Sequence, residues 1–329
     1  MPSVQSADAF ADILSALSAE MQAVDRLIAR RLTSDVALIN QIAGYIVHAG
    51  GKRMRPKLLL MFANALGDPR EQRHELAAVV EFIHTATLLH DDVVDESALR
   101  RGKQTANAMF GNAASVLVGD FLYSRAFQMM VSVDRMRVLE VLAEATNVIA
   151  EGEVLQLMNV HDPDTTVEQY LRVIRFKTAK LFEASARLGA MLSDAGRHEE
   201  EACASYGRAM GTAFQLIDDV LDYEGDAELL GKNIGDDLRE GKPTLPLLLA
   251  MKMGSAEQAA ALRAAVLHGE TEHLQDIVQI VRNSGALDAT REAARKETQW
   301  AAECLSCLPD NEWTKALLKF AIRSVGRSS

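Results

Sequence analysis

The chain has 329 residues, 48% of them hydrophobic, and a formal net charge of −11. That is enough apolar material for one large or two ordinary cores, while the acidic balance, with no basic block interleaved with aromatics, excludes a nucleic-acid binder. Aromatics make up only 5%, and the 7 prolines and 20 glycines are few beside Ala, Leu, Glu, Arg and Met, so the expected class is all-α.

The N-terminal residues carry Asp8, Asp12 and Glu20 among apolar ones and no basic run, unlike a secretory leader. No stretch reaches the roughly 20 uninterrupted apolar residues of a membrane span. A soluble, cytoplasmic protein is expected. Helical periodicity predicts helices over 9–31, 34–49, 57–66, 72–92, 112–131, 134–157 and 167–193, then over 199–223, 245–253, 273–283, 287–308 and 312–325. Gly50-Gly51, Gly67-Asp68-Pro69, His161-Asp162-Pro163-Asp164 and Gly241-Lys242-Pro243 read as the loops between them. Alternating strand patterns are absent and no long flexible linker interrupts the helices, so 1–329 is expected to form a single domain. Cys304 and Cys307 make a lone C-x-x-C with no second pair, nearby histidine or preceding strand, which reads as two thiols on one helix face.

The segments 75–90 and 209–221 are apolar on nearly every face, as central helices are. Each ends in the same pattern: Asp91-Asp92-Val93-Val94-Asp95 and Asp218-Asp219-Val220-Leu221-Asp222. Asp91 with Asp95, and Asp218 with Asp222, lie four residues apart on one helical face, where like charges repel. A hard divalent cation relieves that repulsion, Mg²⁺ above all, which shares carboxylates with substrate phosphates. One copy alone is more often a solvated helix end; two copies in one register point to a metal-diphosphate clamp. Basic residues stand nearby in sequence: Lys52, Arg53 and Arg55 after the first glycine pair, Arg100, Arg101 and Lys103 after the first cluster, then Lys177, Lys232 and Lys242. Arginine forks suit phosphate oxygens, and lysine acts as a point charge.

These features resemble the trans-prenyl diphosphate synthases, specifically the long-chain, octaprenyl-like ones. The markers run in order: G-G-K-R-M-R-P at 50–56, L-L-H-D-D-V-V-D-E-S-A-L-R-R-G at 88–102, V-G-D-F-L-Y-S-R-A-F at 118–127 and E-G-E-V-L-Q-L at 151–157. K-T-A-K-L-F at 177–182, F-Q-L-I-D-D-V-L-D-Y at 214–223 and G-D-D-L-R-E-G-K-P-T-L-P at 235–246 complete them. The resemblance implies a single large helical bundle of the isoprenoid synthase type, with a central apolar tunnel, acting as a homodimer. It implies Mg²⁺ on Asp91, Asp95, Asp218 and Asp222, with Asp92 and Asp219 beside them. It further implies an allylic diphosphate held by Arg100, Lys177, Thr178, Gln215 and Lys232, and isopentenyl diphosphate held by Lys52, Arg55, His84 and Arg101. A lone histidine on an apolar helix is usually a satisfied core residue; the family motif is what assigns His84 to a site.

The implied reaction is successive head-to-tail condensation of isopentenyl diphosphate onto a farnesyl-type primer, giving an octaprenyl diphosphate for a quinone side chain. Water would quench the allylic cation, so the chemistry requires an apolar pocket. Ala86 lies five residues before Asp91, about 7.5 Å along the helix, where short-chain relatives place a large ring. Ala86 and Thr87 therefore leave the tunnel open. Phe127 and Met130 are candidates for its floor, although Met129-Met130 fits ordinary core equally well. Two features depart from the family pattern: Asn233 stands where many members have proline, and Arg327 is the last basic residue of a tail that short-product members often make basic. Two other classes compete. A non-catalytic subunit of a heteromeric synthase usually loses one aspartate cluster, and a terpene cyclase has no need of Lys52, Arg55 and His84.

Overall fold

The computed structural model describes residues 4–48, 50–68, 70–100, 102–224, 235–269 and 273–325. It is all-α, the expected class. In chain order it begins with α1 (Val4–Arg31), α2 (Ala37–His48), α3 (Met54–Ala65) and α4 (Gln72–Val94). A two-residue hairpin, β1 (Leu99–Arg100) against β2 (Lys103–Gln104), leads into α5 (Ala106–Phe110), α6 (Asn112–Ser132) and α7 (Met136–Asn159). Then come α8 (Val167–Ile174), a π turn (Arg175–Ala179), α9 (Lys180–Leu192) and α10 (Arg197–Glu224). The remainder is α11 (Asp236–Arg239), α12 (Leu245–Met253), α13 (Ala256–His268), α14 (Leu274–Asn283), α15 (Ala286–Cys304) and α16 (Glu312–Val325).

The chain divides into two compact units. The first comprises Met1–Thr146, Leu181–Gly207 and Ala302–Phe320. Its centre is α4, whose residues Leu76 to Ile83 are almost without exposure and which packs against α1, α3 and α6. Helices this apolar on all faces form only where neighbours cover every side. The second unit comprises Asn147–Lys180, Arg208–Ala301 and Ala321–Ser329. Leu216, Ile217 and Val220 of α10 anchor its core, with Tyr170 and Ile174 of α8 on one flank and Tyr223, Leu247, Leu262 and Val281 on another.

Two predicted helices, 245–253 and 312–325, are met at both ends. Among the described residues the structure adds the hairpin, α5, α11 and α13, and it interrupts the helix expected over 167–193 with a π turn. A π turn inserts one residue into the helical ladder and is frequent at functional sites; here it carries Lys177 and Thr178.

A polar knot ties α1 to α3 and α4. Glu20 accepts from Asn64 Nδ2 at 2.8 Å and Arg73 Nε at 2.8 Å, and lies 3.2 Å from His74 Nε2. Burial pushes its carboxyl up, but the bonds from His74 and Asn64 and the charge of Arg73 outweigh that and hold it below its ordinary value of 4.5. A depressed carboxylate stabilises the fold fully above its unfolded pKa and loses that contribution as pH falls through the lower folded pKa. Glu20→Gln should therefore lower Tm at pH 7 by about 1–3 °C, with the gap to wild type narrowing below about pH 4, a size already discounted for solvent screening at the partly buried site. Thermal melts from pH 7 to pH 3 check this, and a Tm gap independent of pH would contradict it.

Candidate active site

The first aspartate cluster closes α4. Asp95 N donates to Asp91 O at 2.8 Å and Ser97 N to Asp92 O at 3.0 Å, so the helix is wound shut over the motif. Asp91 and Asp95 are half-buried, while Asp92 is 1% exposed. The hairpin explains how Asp92 tolerates that burial: it turns Arg100 back so that Nε donates to Asp92 Oδ1 at 2.8 Å and Nη2 approaches the same oxygen at 2.6 Å. Burial nevertheless raises the Asp92 carboxyl above the ordinary range, Arg100 opposing and Asp91 and Asp95 reinforcing the shift. The second oxygen, Asp92 Oδ2, is buried and has no hydrogen-bond partner among the described residues.

Beside this cluster lies a pocket enclosing about 520 Å³, part of it open to solvent. Tyr45, Gly50, Arg53, Glu81, His84, Asp92, Arg100 and Lys103 are among the residues that line it. His84 and Arg100 thus share one pocket, whereas Lys52 and Arg55 are not in its lining. Lys52 is exposed; Arg55 is half-buried, its guanidinium 4.4 Å from the centre of the Phe182 ring. Arg53, whose neighbours in the G-G-K-R-M-R-P motif are the predicted binders, is turned inward. It takes positive φ at the start of α3, pairs with Glu81 and lies 3.9 Å from Asp25. That ion pair moors the glycine loop to α4.

The second cluster sits near the end of α10. Asp218 is exposed, Asp222 half-buried and Asp219 2% exposed. Asp219 Oδ1 accepts from Gln215 Nε2 at 2.8 Å, and Asp219 Oδ2 accepts from the Tyr170 hydroxyl. Thr178 Oγ1 donates to Gln215 Oε1 at 3.0 Å. Burial and the nearby charge of Asp237 push the Asp219 carboxyl far above the carboxylate range, against the donors Tyr170 and Gln215. Lys177 Nζ lies 2.6 Å from Glu153 Oε2 on α7. Gly152 makes that seat possible, since a Cβ there would fall 2.6 Å from Lys177 N and 2.9 Å from Phe176 C. The structure therefore joins Thr178, Gln215 and Asp219 in one network. Arg101, Lys232, Asn233 and Arg327 lie outside the described residues.

Sequence reasoning missed Glu153, Tyr170 and Asp237. A tyrosine on an apolar helix reads as core, and its partner is 49 residues away. Of the proposed tunnel residues, Ala86 is fully buried and Met130 is 1% exposed, on packed helices α4 and α6. Thr87 is half-buried, its hydroxyl donating to His84 O at 2.8 Å, and Phe127 is 37% exposed. Gly119 of α6 lets the His90 ring, next to Asp91, lie flush on the helix; a Cβ would meet His90 Nε2 at 2.3 Å.

The donor set suits a hard divalent cation. It is all oxygen, and Asp92 Oδ2 is buried beside the outer carboxylates with no protein donor. Among the described residues no group of three or more Asp, Glu, His or Cys side chains is arranged to hold a metal ion on its own.

Comparison with known proteins agrees with this chemistry. The polyprenyl synthetase family model matches residues 36–283. An octaprenyl diphosphate synthase of Escherichia coli (strain K12) is 56% identical over 309 residues, covering 94% of this chain and 96% of its own. An all-trans-nonaprenyl-diphosphate synthase (geranyl-diphosphate specific) of Rhodobacter capsulatus is 46% identical over 318 residues, 96% of this chain and 97% of its own. A crystal structure of a polyprenyl synthase from Caulobacter crescentus CB15, complexed with calcium and isoprenyl diphosphate, matches with a TM-score of 0.93 at 47% identity, covering 98% of each chain.

Proposed function

The chain belongs to the polyprenyl synthetase family and is a prenyltransferase that elongates trans-polyprenyl diphosphates; from that premise we propose that its product is octaprenyl diphosphate, destined for a quinone side chain. The observation that carries the product length is the 56% identity with the Escherichia coli octaprenyl synthase over nearly the whole of both chains. The enzyme condenses isopentenyl diphosphate onto an allylic diphosphate, for which we propose a farnesyl-type primer.

In this reading Asp91, Asp95, Asp218 and Asp222 hold the divalent cations, proposed to be Mg²⁺. When bound, such a cation supplies electrophilic stabilisation of negative charge on the departing diphosphate. Arg100, Lys177 and Lys232 neutralise the same group, and Lys52, Arg55, His84 and Arg101 hold the isopentenyl diphosphate. The bond between the allylic carbon and the diphosphate oxygen breaks as the double bond of isopentenyl diphosphate attacks that carbon. A proton then leaves the new chain, and the released diphosphate accepts it. Thr178 and Gln215 offer oxygen to the carbon as it gains positive charge. The growing tail is proposed to run past Ala86 and Thr87 through an apolar tunnel toward Phe127 and Met130. We further propose that residues 1–329 act as one catalytic domain, that the enzyme is a cytoplasmic homodimer, and that exposed apolar residues of α6 such as Leu117 and Val131 contribute to the dimer face. Among the described residues no helix is long and apolar enough to cross a membrane.

The test is direct. The pure protein with farnesyl diphosphate, isopentenyl diphosphate and Mg²⁺ should yield chiefly a product of about eight isoprene units on reversed-phase chromatography, and none after chelation. A nine- or ten-unit main product would refute the octaprenyl assignment while leaving the chemistry intact.

A further inference from the structure

Four side chains of the second unit form one directed hydrogen-bond chain. Tyr170, 6% exposed on α8, donates to Asp219 Oδ2. Gln215 Nε2 donates to Asp219 Oδ1, and Thr178 Oγ1 donates to Gln215 Oε1. Both oxygens of Asp219 thus accept, Oδ2 from Tyr170 and Oδ1 from Gln215. Gln215 must therefore turn its amide NH₂ toward Asp219 and its carbonyl toward Thr178. The threonine proton is then committed to that carbonyl, and only the lone pairs of Oγ1 remain for other partners. An amide free of the carboxylate can rotate by half a turn and reverse this polarity, because its two ends are nearly alike in shape. Polarity matters at a carbon gaining positive charge, where lone pairs stabilise and an O–H proton opposes.

We propose that Tyr170 is a positioning residue: by anchoring Asp219 it fixes the Gln215 amide, which in turn directs the lone pairs of Thr178 toward the allylic carbon. This rests on the reading of Thr178 and Gln215 as the oxygen groups beside that carbon. Local structure fixes the tyrosine itself. A capping box of Thr166 and Gln169 sets the start of α8, and Tyr170 packs in a cluster with Ile174, Leu216, Ile217 and Leu245. The π turn that follows α8 carries Thr178, while Gln215 and Asp219 stand one turn apart on α10, so the chain of bonds cross-links the two segments. The first cluster is built on the same plan, with Asp92 turned into protein on Arg100. In each motif the central carboxylate accepts from a protein donor.

A double-mutant cycle tests this, using the full chain with farnesyl diphosphate, isopentenyl diphosphate and Mg²⁺. Tyr170→Phe should keep its native circular dichroism spectrum and its isopentenyl KM but lose about tenfold or more in kcat as the Gln215 amide is released. The Tyr170→Phe/Thr178→Val protein should be slower than Thr178→Val alone by no more than about twofold, since the tyrosine acts through the threonine. Losses that multiply, or an undiminished kcat in Tyr170→Phe, would overturn the proposal. So would loss of the native spectrum in both Tyr170→Phe and Tyr170→Met, which would make the tyrosine a folding residue. Thr178→Val with wild-type kcat would instead overturn the assignment of Thr178 to the allylic site, and a wild-type protein that condenses nothing would overturn the functional reading beneath both.

Discussion

Asp218→Ala is expected to cut condensation by roughly a hundredfold or more while the protein stays folded. Asp218 is exposed at the end of α10, so its removal opens no cavity and exposes no buried donor. It also relieves repulsion with Asp222 one turn away, which is worth about 0.2–0.5 kcal/mol on a helix surface, so the metal-free protein should melt at the same temperature or slightly higher. Asp91→Ala should behave alike in activity. Asp219→Ala should not behave alike in stability: that side chain is 2% exposed and accepts from Tyr170 and Gln215, whose donors would be left buried without a partner. A cost of about 2–4 kcal/mol is expected there. Steady-state rates against Mg²⁺ concentration, with thermal melts of each variant, separate the two classes. Near-wild-type turnover with ordinary metal dependence in Asp218→Ala would remove the clamp from the mechanism.

Ala86→Tyr is expected to shorten the product to a few isoprene units and leave the first condensation nearly intact. The argument is steric. Ala86 lies about 7.5 Å along α4 from Asp91, and a ring there blocks a lengthening tail without touching a carboxylate or cation. Because Ala86 is fully buried, the ring must enter either the proposed tunnel or packed core. Overpacking costs about 1–3 kcal/mol, so a small drop in Tm is tolerable and a large one is informative. Product sizing decides the matter. Unchanged chain length at unchanged rate means the tail does not pass residue 86, and loss of folding means the position is core.

Most helices could be read from the chain because their signals are local. The T-V-E-Q segment at 166 to 169 is a capping box that starts α8 at Val167, as expected, and a proline near the start of α12 helps fix the predicted 245–253. The helix Ala256–His268 escaped because it is rich in alanine and buries little besides Leu262, Ala265 and Val266, which leaves almost no apolar stripe to detect. The hairpin escaped for the opposite reason: two residues per strand are too few to alternate. The π turn adds a single residue to a long helical pattern and hardly alters its period. At the site, the aspartates and basic residues stood out by type, but their buried partners did not. Glu153 and Tyr170 acquire meaning only once folding sets them on Lys177 and Asp219.

The resting contacts of two cations bear on how fast such an enzyme can cycle. Arg100 lies on Asp92 and Lys177 on Glu153. In the proposed reading each meets a diphosphate by trading one anion for another, so binding never begins from a bare cation and departure never strands one. The resident acid weakens the grip on the substrate by competing for it, and it is ready to take the cation back when the product leaves. An enzyme that must repeat the same condensation many times on one chain gains more from prompt release of inorganic diphosphate than from tight capture.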